Sequence, residues 1–143
     1  MLKVLLPVDG SKSAARATKA LVKTMAWYKH SPQIDLLAVH LPLPRLHNMN
    51  LVVSKQMIER YYADESAAML APSKKILDAA KVKYTVHTAV GSIAESIVDQ
   101  AKQSGSNMIY MGTRGMTALA NMVLGSVAAR VLHLAHIPVV LIH

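Results

Sequence analysis

Short β-like runs alternate with amphipathic helical segments along the chain, and this alternation constrains the fold more than any other feature. Five strands are predicted, at residues 2–8, 34–41, 83–90, 108–111 and 137–142. Apolar residues recur at helical spacing in the intervals between them. Crossover helices between consecutive strands favour a mostly parallel sheet with helices on both faces. The order βαβαβαβαβ therefore predicts an α/β protein.

The whole chain, residues 1–143, is expected to form one domain. It contains neither a 20–50-residue repeat nor a low-complexity linker, and 52% of its residues are hydrophobic, which excludes a disordered chain. We expect an open five-stranded parallel sheet of the Rossmann-like type, with strand order 3-2-1-4-5.

Three helix boundaries can be predicted from local signals. Ser11 is placed to cap the first helix, and Gly105 to end the third. Ser92 and Glu95 have the spacing of a capping box. Residues 51–80 are predicted as one long helix or two shorter ones, preceded by an irregular stretch to about residue 50.

Pro72 favours a kink or break within this helical stretch. Its apolar residues approximate a single face, which would pack on the sheet. The members of this face are Ile58, Tyr62, Met69, Ile76 and Ala80.

Composition excludes several classes of function. The chain has no cysteine, which excludes disulfides, thiolate metal sites and cysteine catalysis. No apolar run reaches the roughly 18 residues of a membrane helix, and the residues before Asp9 are too few for a signal peptide. We therefore expect a cytoplasmic protein with no membrane partner.

The net charge of +8 favours anionic partners such as nucleotides. The cations are dispersed, with Lys74–Lys75 and Lys81 with Lys83 as the densest groups, so we do not expect a nucleic-acid partner. The seven histidines form no ligand spacing of a known kind, His133 and His136 included. We predict no metal site among the side chains.

Two predicted strands end in segments that could carry chemistry. The first strand ends in Pro7-Val8-Asp9-Gly10-Ser11, and the fourth is followed by Gly112-Thr113-Arg114-Gly115. Ligands of open parallel sheets bind beyond the carboxyl ends of the strands, where the strand order reverses. If the first and fourth strands are neighbours there, these two segments share one crevice.

The second segment has the makings of a phosphate site. It continues to Gly125-Ser126-Val127 at the start of a helix, where unpaired amides and the positive end of the dipole favour an anion. Glycines allow close backbone approach, and Arg114 is the only cation of the loop. The same glycines also suit ordinary turns, Ser126 could serve only as an N-cap, and Asp9 could be a turn-forming residue.

The spacing Gly112-x2-Gly115-x9-Gly125-Ser126 resembles the nucleotide motif of the universal stress protein family, G-x2-G-x9-G-[S/T]. Pro7-Val8-Asp9-Gly10-Ser11 and Ile137-Pro138-Val139-Val140 resemble the first and last strand regions of the same family. The resemblance covers essentially the whole chain and implies an ATP-binding protein of the stress response.

The resemblance also implies roles for individual residues. Asp9 would hydrogen-bond the adenine or ribose edge, and Val39 would meet the adenine through its backbone. Other residues would pack near the base and ribose, or hold phosphates that carry Mg²⁺ or Mn²⁺. The first group is Pro7, Met111 and Gly112, and the second is Gly115, Gly125, Ser126 and Val127. Val8 and Arg114 are also expected among the binding residues.

Three functions remain open on these residues. The first is a nucleotide-binding regulator that passes its ATP-bound state to an unknown protein partner. The second is an enzyme, either a slow ATP hydrolase or a nucleotide-dependent transferase; the glycine loop contains no carboxylate to position water for hydrolysis, so no catalytic residue is assigned. The third is a nucleotide-free dimeric scaffold, against which the complete glycine spacing argues.

The last predicted strand, residues 137–142, favours a homodimer. It is apolar on both faces, and as the last strand of the order it would lie at an edge of the sheet. A bare apolar edge invites pairing with another chain, and two-fold pairing of identical edges is the simplest closed solution. The alternative is a monomer whose edge is shielded by a loop such as residues 42–50.

Overall fold

A five-stranded parallel sheet forms the centre of the molecule. We analysed a computed structural model, which describes residues 1–43, 54–115, 121 and 123–143. The strands are β1 (Lys3–Val8), β2 (Gln33–His40), β3 (Tyr84–Val90), β4 (Met108–Gly112) and β5 (Val139–Ile142). Their order in the sheet is β3-β2-β1-β4-β5, and every neighbouring pair is parallel. The predicted α/β fold and strand order are confirmed.

Four helices connect the strands and cover both faces of the sheet. They are α1 (Lys12–Thr24), α2 (Lys55–Ala79), α3 (Ile93–Ser104) and α4 (Ser126–Leu134), with a short 3-10 helix at Met25–Trp27. None of the helices in the described parts of the chain is long and apolar enough to cross a membrane.

The core has two layers, one on each face of the sheet. On one face, α1 and α2 contribute side chains such as Leu21 and Leu77, which pack with Leu6 and Leu36. On the other face, α3 and α4 pack residues such as Ile97 and Val131 against the strands. Because successive strand residues point to opposite faces, the apolar runs of β1 and β2 supply both layers at once.

Two of the three helix-boundary signals predicted for α1 and α3 are confirmed. The Ser11 hydroxyl accepts a hydrogen bond from the Ala14 amide at 3.1 Å, and Gly105 ends α3 with a φ of 65°. The predicted capping box is wrong: Ser92 is the N-cap by position but makes no side-chain cap bond. The Glu95 carboxylate instead accepts a hydrogen bond from Arg130 of α4 at 3.0 Å.

α2 is continuous through Pro72, so the predicted break is wrong. Ser54 caps this helix, and residues 44–53, which include the predicted irregular stretch and the predicted helix start, lie outside the described residues. The predicted packing face is also displaced. The buried side chains of α2 are Ser66, Leu70, Ser73 and Leu77, whereas Tyr62 and Met69 are only half-buried.

Gly10 allows α2 to approach the turn between β1 and α1. Its φ is 82°, a conformation that side chains other than glycine rarely adopt. A β-carbon there would lie 3.3 Å from the Met69 α-carbon and 3.4 Å from the Ala68 carbonyl oxygen. Because Pro72 has no N–H, α2 lacks the hydrogen bond that residue 72 would donate to the Ala68 carbonyl. The turn of α2 without this bond faces the β1–α1 turn.

Candidate functional site

The two segments singled out in the sequence lie side by side at the carboxyl edge of the sheet. β1 and β4 are neighbours, with Val4 opposite Met108 and Leu5 opposite Ile109. The strand order reverses between them, because β2 lies on one side of β1 and β4 on the other. The predicted shared crevice requires β1 and β4 to be neighbours, and these two strands are paired in the structure.

The two carboxylate oxygens of Asp9 face different groups, one in the turn before α1 and the other in the glycine loop. Its Oδ1 accepts a hydrogen bond from the Ser11 amide at 2.9 Å, which fixes the side chain at the start of α1. Its Oδ2 lies 3.2 Å from where a β-carbon of Gly115 would stand. One oxygen is thus structural, and the other faces the space above Gly115.

Ser13 joins the start of α1 to the end of β4. Its backbone lies against Gly112, where a β-carbon would come within 2.8 Å of the Ser13 carbonyl group. Its hydroxyl accepts a hydrogen bond from the Arg114 amide at 3.2 Å. This contact brings the glycine loop over the first turn of α1.

Thr113 closes the glycine loop on itself. Its amide donates to the Ile142 carbonyl of β5 at 3.1 Å, and its own carbonyl accepts a hydrogen bond from the Gly125 amide. A β-carbon at Gly125 would lie 3.1 Å from that carbonyl oxygen and 3.3 Å from the Arg114 α-carbon. The interior of the loop, residues 116–120 and 122, lies outside the described residues.

α4 begins directly at this closure. Gly125 is its N-cap, so the alternative role of Ser126 as the N-cap is wrong; Ser126 is the first helical residue and is exposed. Gly125 has no side chain to cap the helix, and the amides of a first helical turn have no intrahelical acceptor. The first turn of α4 therefore presents amides without an acceptor among the described residues, and the positive end of its dipole, beside Thr113 and Arg114.

Two polar side-chain atoms of the loop are buried without a partner. They are Thr113 Oγ1 and Arg114 Nε, and neither makes a hydrogen bond to any residue that the structure describes. Buried donors of this kind normally find an acceptor, and leaving one unmade is costly. Both atoms fit an anion that is bound from outside the chain.

The remaining predicted residues take different positions. Val8 pairs with Ala38, so Asp9 and Val39 are the next positions of their strands at the same edge. Val39 and Met111 are buried together in the core layer under α3 and α4. Pro7 is buried within β1, and the Val8 side chain packs into the opposite layer, so Val8 meets the crevice only through its backbone.

Three contributors were missed by sequence reasoning: Ser13, Thr113 and Ile142. Thr113 stands inside the glycine spacing and could have been noticed there. Ser13 acts through its close approach to Gly112, and Ile142 through its backbone carbonyl. A close contact between distant segments and a bond to a backbone carbonyl do not depend on a particular residue type, so the sequence gives no sign of them.

A groove with a volume of about 960 Å³ lies elsewhere, between α2 and β3. His40 stands at its edge, where its Nε2 lies 3.1 Å from the Ser66 hydroxyl and its ring packs on Tyr62 with centroids 4.8 Å apart. Since the lining includes none of the glycine-loop residues, we regard this groove as separate from the candidate site.

No group of three or more histidine or carboxylate side chains with metal-binding geometry occurs among the described residues. A divalent ion at this site would therefore depend on ligand oxygens in addition to protein groups. The described crevice offers Asp9 Oδ2, the Thr113 and Ser126 hydroxyls and backbone groups for such a complex.

A doubly wound parallel sheet with a glycine loop and a helix N-terminus at its switch point defines a class of small α/β ligand-binding domains. Within that class, the model of the universal stress protein family matches residues 1–143. The chain belongs to the universal stress protein family.

Curated relatives span nearly the whole chain. Universal stress protein MJ0531 of Methanocaldococcus jannaschii is 28% identical over 98% of this chain and 81% of its own length. Universal stress protein YxiE of Bacillus subtilis is also 28% identical, over 98% of this chain and 97% of its own length.

Solved structures of low sequence identity share the fold. Protein MJ0577 superposes with a TM-score of 0.75 at 24% identity and covers 99% of this chain and 94% of its own. A universal stress protein in complex with cAMP gives a TM-score of 0.70 at 20% identity, with 99% and 97% coverage. The protein from Archaeoglobus fulgidus in complex with dAMP gives 0.67 at 19% identity, with 100% and 98% coverage.

Proposed function

We propose that this protein binds an adenine nucleotide, ATP with Mg²⁺ or Mn²⁺, in the crevice between Asp9 and the glycine loop. It would act as a homodimeric regulator of the stress response in the cytoplasm, with its nucleotide state passed to a protein partner. The observation that carries the proposal is the convergence of the loop at Thr113–Gly115 on the unpaired first turn of α4.

The phosphate end of the proposal rests on donors that have no other use in the described chain. Thr113 Oγ1 and Arg114 Nε are buried and unpartnered, and the first-turn amides of α4 lie beside them. A triphosphate would accept from all three kinds of donor, and the helix dipole would favour its charge.

The nucleoside end of the proposal rests on Asp9, Val39 and Met111. Asp9 Oδ2 is the free acceptor for a ribose hydroxyl or an adenine amine, and the strand ends at Val39 and Met111 give an apolar floor. Two proteins of the same fold hold the adenine nucleotides cAMP and dAMP. This favours adenine as the base, with ATP as the form suggested by the glycine spacing.

A second candidate function is slow hydrolysis of the bound ATP. Phosphoryl transfer to water needs a group that positions the water. Asp9 is the acid that the described structure places at the crevice, and one of its oxygens is held by the Ser11 amide. We therefore propose binding without efficient turnover, with a kcat well below the order of 1 s⁻¹. The nucleotide-free scaffold is the outcome if no nucleotide binds.

The proposed homodimer uses β5. This strand lies at one edge of the sheet, is paired with β4 on one side, and all four of its residues are only half-buried. Pairing with a second copy would bury these apolar side chains and satisfy the open edge. Sedimentation of the protein as a monomer at micromolar concentration, with and without ATP, would refute this part.

Calorimetry with ATP and Mg²⁺ tests the binding proposal on the wild type and two matched variants. Gly115→Glu places a carboxylate beside Asp9 Oδ2 and the phosphate donors, so binding should be lost. Gly115→Ala adds only a methyl group 3.2 Å from Asp9 Oδ2, which a small side-chain shift relieves, so binding should weaken far less. Equal ATP affinity for the wild type and Gly115→Glu, with both folded, would overturn the assignment.

A further inference from the structure

A second concave surface lies at the opposite, amino edge of the sheet. It is a crevice of about 560 Å³ among the amino ends of β2 and β3 and the segments that precede them. Its apolar lining includes the partly exposed Met25 and Val82, with the buried Pro32 and Ile34 beneath them, and two of its polar members are the exposed Lys81 and Lys83. We call this surface the amino-edge crevice, and we propose that it binds an acidic segment of a partner protein, independently of the nucleotide site.

The charge of this edge is one-sided. The connections that lead into β2 and β3, residues 25–32 and 80–83, contain three lysines and no acid. Lys29, Lys81 and Lys83 are all exposed. The acid that precedes them in the chain, Asp78, accepts a hydrogen bond from the Tyr84 hydroxyl at 2.8 Å and does not line the crevice. An acidic segment would therefore meet cations without competition from carboxylates in these connections.

Lys81 occupies a position that its residue type does not favour. It follows the C-cap of α2 with a φ of 55°, the left-handed conformation in which glycine is the usual residue. The Lys81 amide donates to the Asp78 carbonyl and the Val82 amide to the Leu77 carbonyl, both at 3.0 Å, and this Schellman closure of α2 sets the conformation of residue 81. The Lys81 side chain is exposed at the rim of the crevice.

Trp27 supplies an exposed aromatic side chain in the same connection as Lys29. It lies in the 3-10 helix two residues after Met25, which lines the crevice, and 81% of its surface is exposed. Tryptophan is the residue most enriched among energetic centres of protein interfaces, and it is usually covered by a partner. An exposed tryptophan next to an apolar crevice with a cationic rim fits a segment that carries both apolar and acidic side chains.

The same observations argue against the other polyanions. The charged cations of the two connections are lysines, with no arginine to bind phosphate in a bidentate manner, and of the two aromatics, Trp27 and Tyr28, only Trp27 is exposed, which gives no stacking row for bases. A bilayer surface is flat and would leave a concave crevice unfilled. A peptide segment can place an apolar side chain in the crevice and acids on its rim.

Selection of peptides tests this proposal. A library of random 12-residue peptides on phage is selected on the wild-type protein and counter-selected on the double variant Lys81→Ser, Lys83→Ser. We expect the enriched peptides to carry net negative charge and at least one large apolar residue. Enrichment of peptides without negative charge, or no enrichment over the counter-selection, would overturn the proposal.

Affinities of the enriched peptides can be read from Trp27, because it is the only tryptophan of the chain. Binding should shift its emission to the blue. The Lys81→Ser, Lys83→Ser variant should bind about tenfold more weakly, with a smaller salt dependence. The matched control Lys74→Ser, Lys75→Ser makes the same charge change on α2, outside the crevice, and should keep near wild-type affinity.

Trp27→Ser should cost at least about tenfold in affinity, measured with labelled peptide, and thermal unfolding should show that this exposed substitution leaves the fold intact. Equal losses of peptide affinity in the Lys81→Ser, Lys83→Ser and Lys74→Ser, Lys75→Ser variants would overturn the proposal, because the losses would then reflect only the change in net charge. Tighter binding to phosphatidylglycerol vesicles or to duplex DNA than to the best peptide would overturn it in favour of those partners.

Discussion

Gly112 at the end of β4 is pressed against Ser13 in the first turn of α1. A β-carbon on Gly112 would stand 2.8 Å from both the carbonyl carbon and the carbonyl oxygen of Ser13, which are backbone atoms that cannot rotate away. The contact holds the beginning of the glycine loop to α1, where the Ser13 hydroxyl also accepts the Arg114 amide. The position of the loop thus depends on the absence of a side chain at residue 112.

We expect Gly112→Ala to lower the free energy of unfolding by about 1–3 kcal/mol, because strand and helix must move apart to admit the methyl group. Urea unfolding measures this. Gly115→Ala is the control for stability, since among the described residues a β-carbon there meets only the Asp9 carboxylate. Equal stability of the two variants would show that the close contact is not a constraint.

A buried pair of hydroxyl groups joins α1 to α2. Thr18 Oγ1 lies 2.8 Å from Ser73 Oγ and also donates to the Ala14 carbonyl at 2.9 Å, and both side chains are almost wholly buried. Thr18→Val should destabilise the protein by about 1–3 kcal/mol, because it leaves the Ser73 hydroxyl buried without this partner.

The double variant Thr18→Val, Ser73→Ala should lose less than the sum of its single variants. Thr24→Val is the matched control, since the Thr24 hydroxyl bonds only the Leu21 carbonyl and is half-buried. Strict additivity in the double-mutant cycle would contradict the coupling.

Asp35 on β2 is a buried carboxylate between the partly exposed side chains of Lys3 and His87. It is 1% exposed and lies 3.3 Å from both Lys3 Nζ and His87 Nε2, contacts that lack hydrogen-bond alignment. Removing a partner of a buried charge is costly, but Lys3 is 24% exposed, so solvent screens part of the effect. We expect Lys3→Met to cost about 1–3 kcal/mol in urea unfolding. A loss no larger than that of Lys19→Met, an exposed lysine of α1, would contradict this.

The Glu95–Arg130 pair between α3 and α4 should make stability depend on pH. The hydrogen bond from its own backbone amide, and then that from Arg130, lowers the pKa of Glu95 below its ordinary value of 4.5. A lowered pKa means that the contribution is present above the ordinary value and is lost as the pH falls through the folded-state value.

Glu95→Gln should therefore destabilise the protein at pH 7 and leave its stability unchanged, relative to the wild type, at a pH well below 4.5. Unfolding midpoints at both pH values measure this. A difference that persists undiminished in acid would refute the ion-pair explanation.

Much of the fold could be predicted because periodicity and strand order follow from simple physics. The alternation of strands and helices, and the caps at Ser11 and Gly105, agree with the structure. The errors lie where tertiary contacts override local signals. Glu95 turns to Arg130 instead of forming the capping box, and α2 continues through Pro72, with Leu70 and Leu77 on either side of it buried in the core.

The site could be predicted only where residue types carry the signal. Glycine spacing indicated the loop, and the order of the strands placed Asp9 beside it. The contacts that fix the loop, at Ser13, Thr113 and Ile142, depend on backbone atoms of distant segments. No pattern of side chains along the chain encodes them, which is why they emerged only from the structure.

The bond from the Thr113 amide to the Ile142 carbonyl has a consequence for synthesis. β5 is the last of the described elements to leave the ribosome, and until it pairs with β4 nothing holds Thr113 at this carbonyl. A nascent chain can therefore assemble most of its sheet while the crevice is still unformed. A nucleotide bound as proposed would therefore stabilise the protein only after β5 has paired with β4, and not during the early steps of folding.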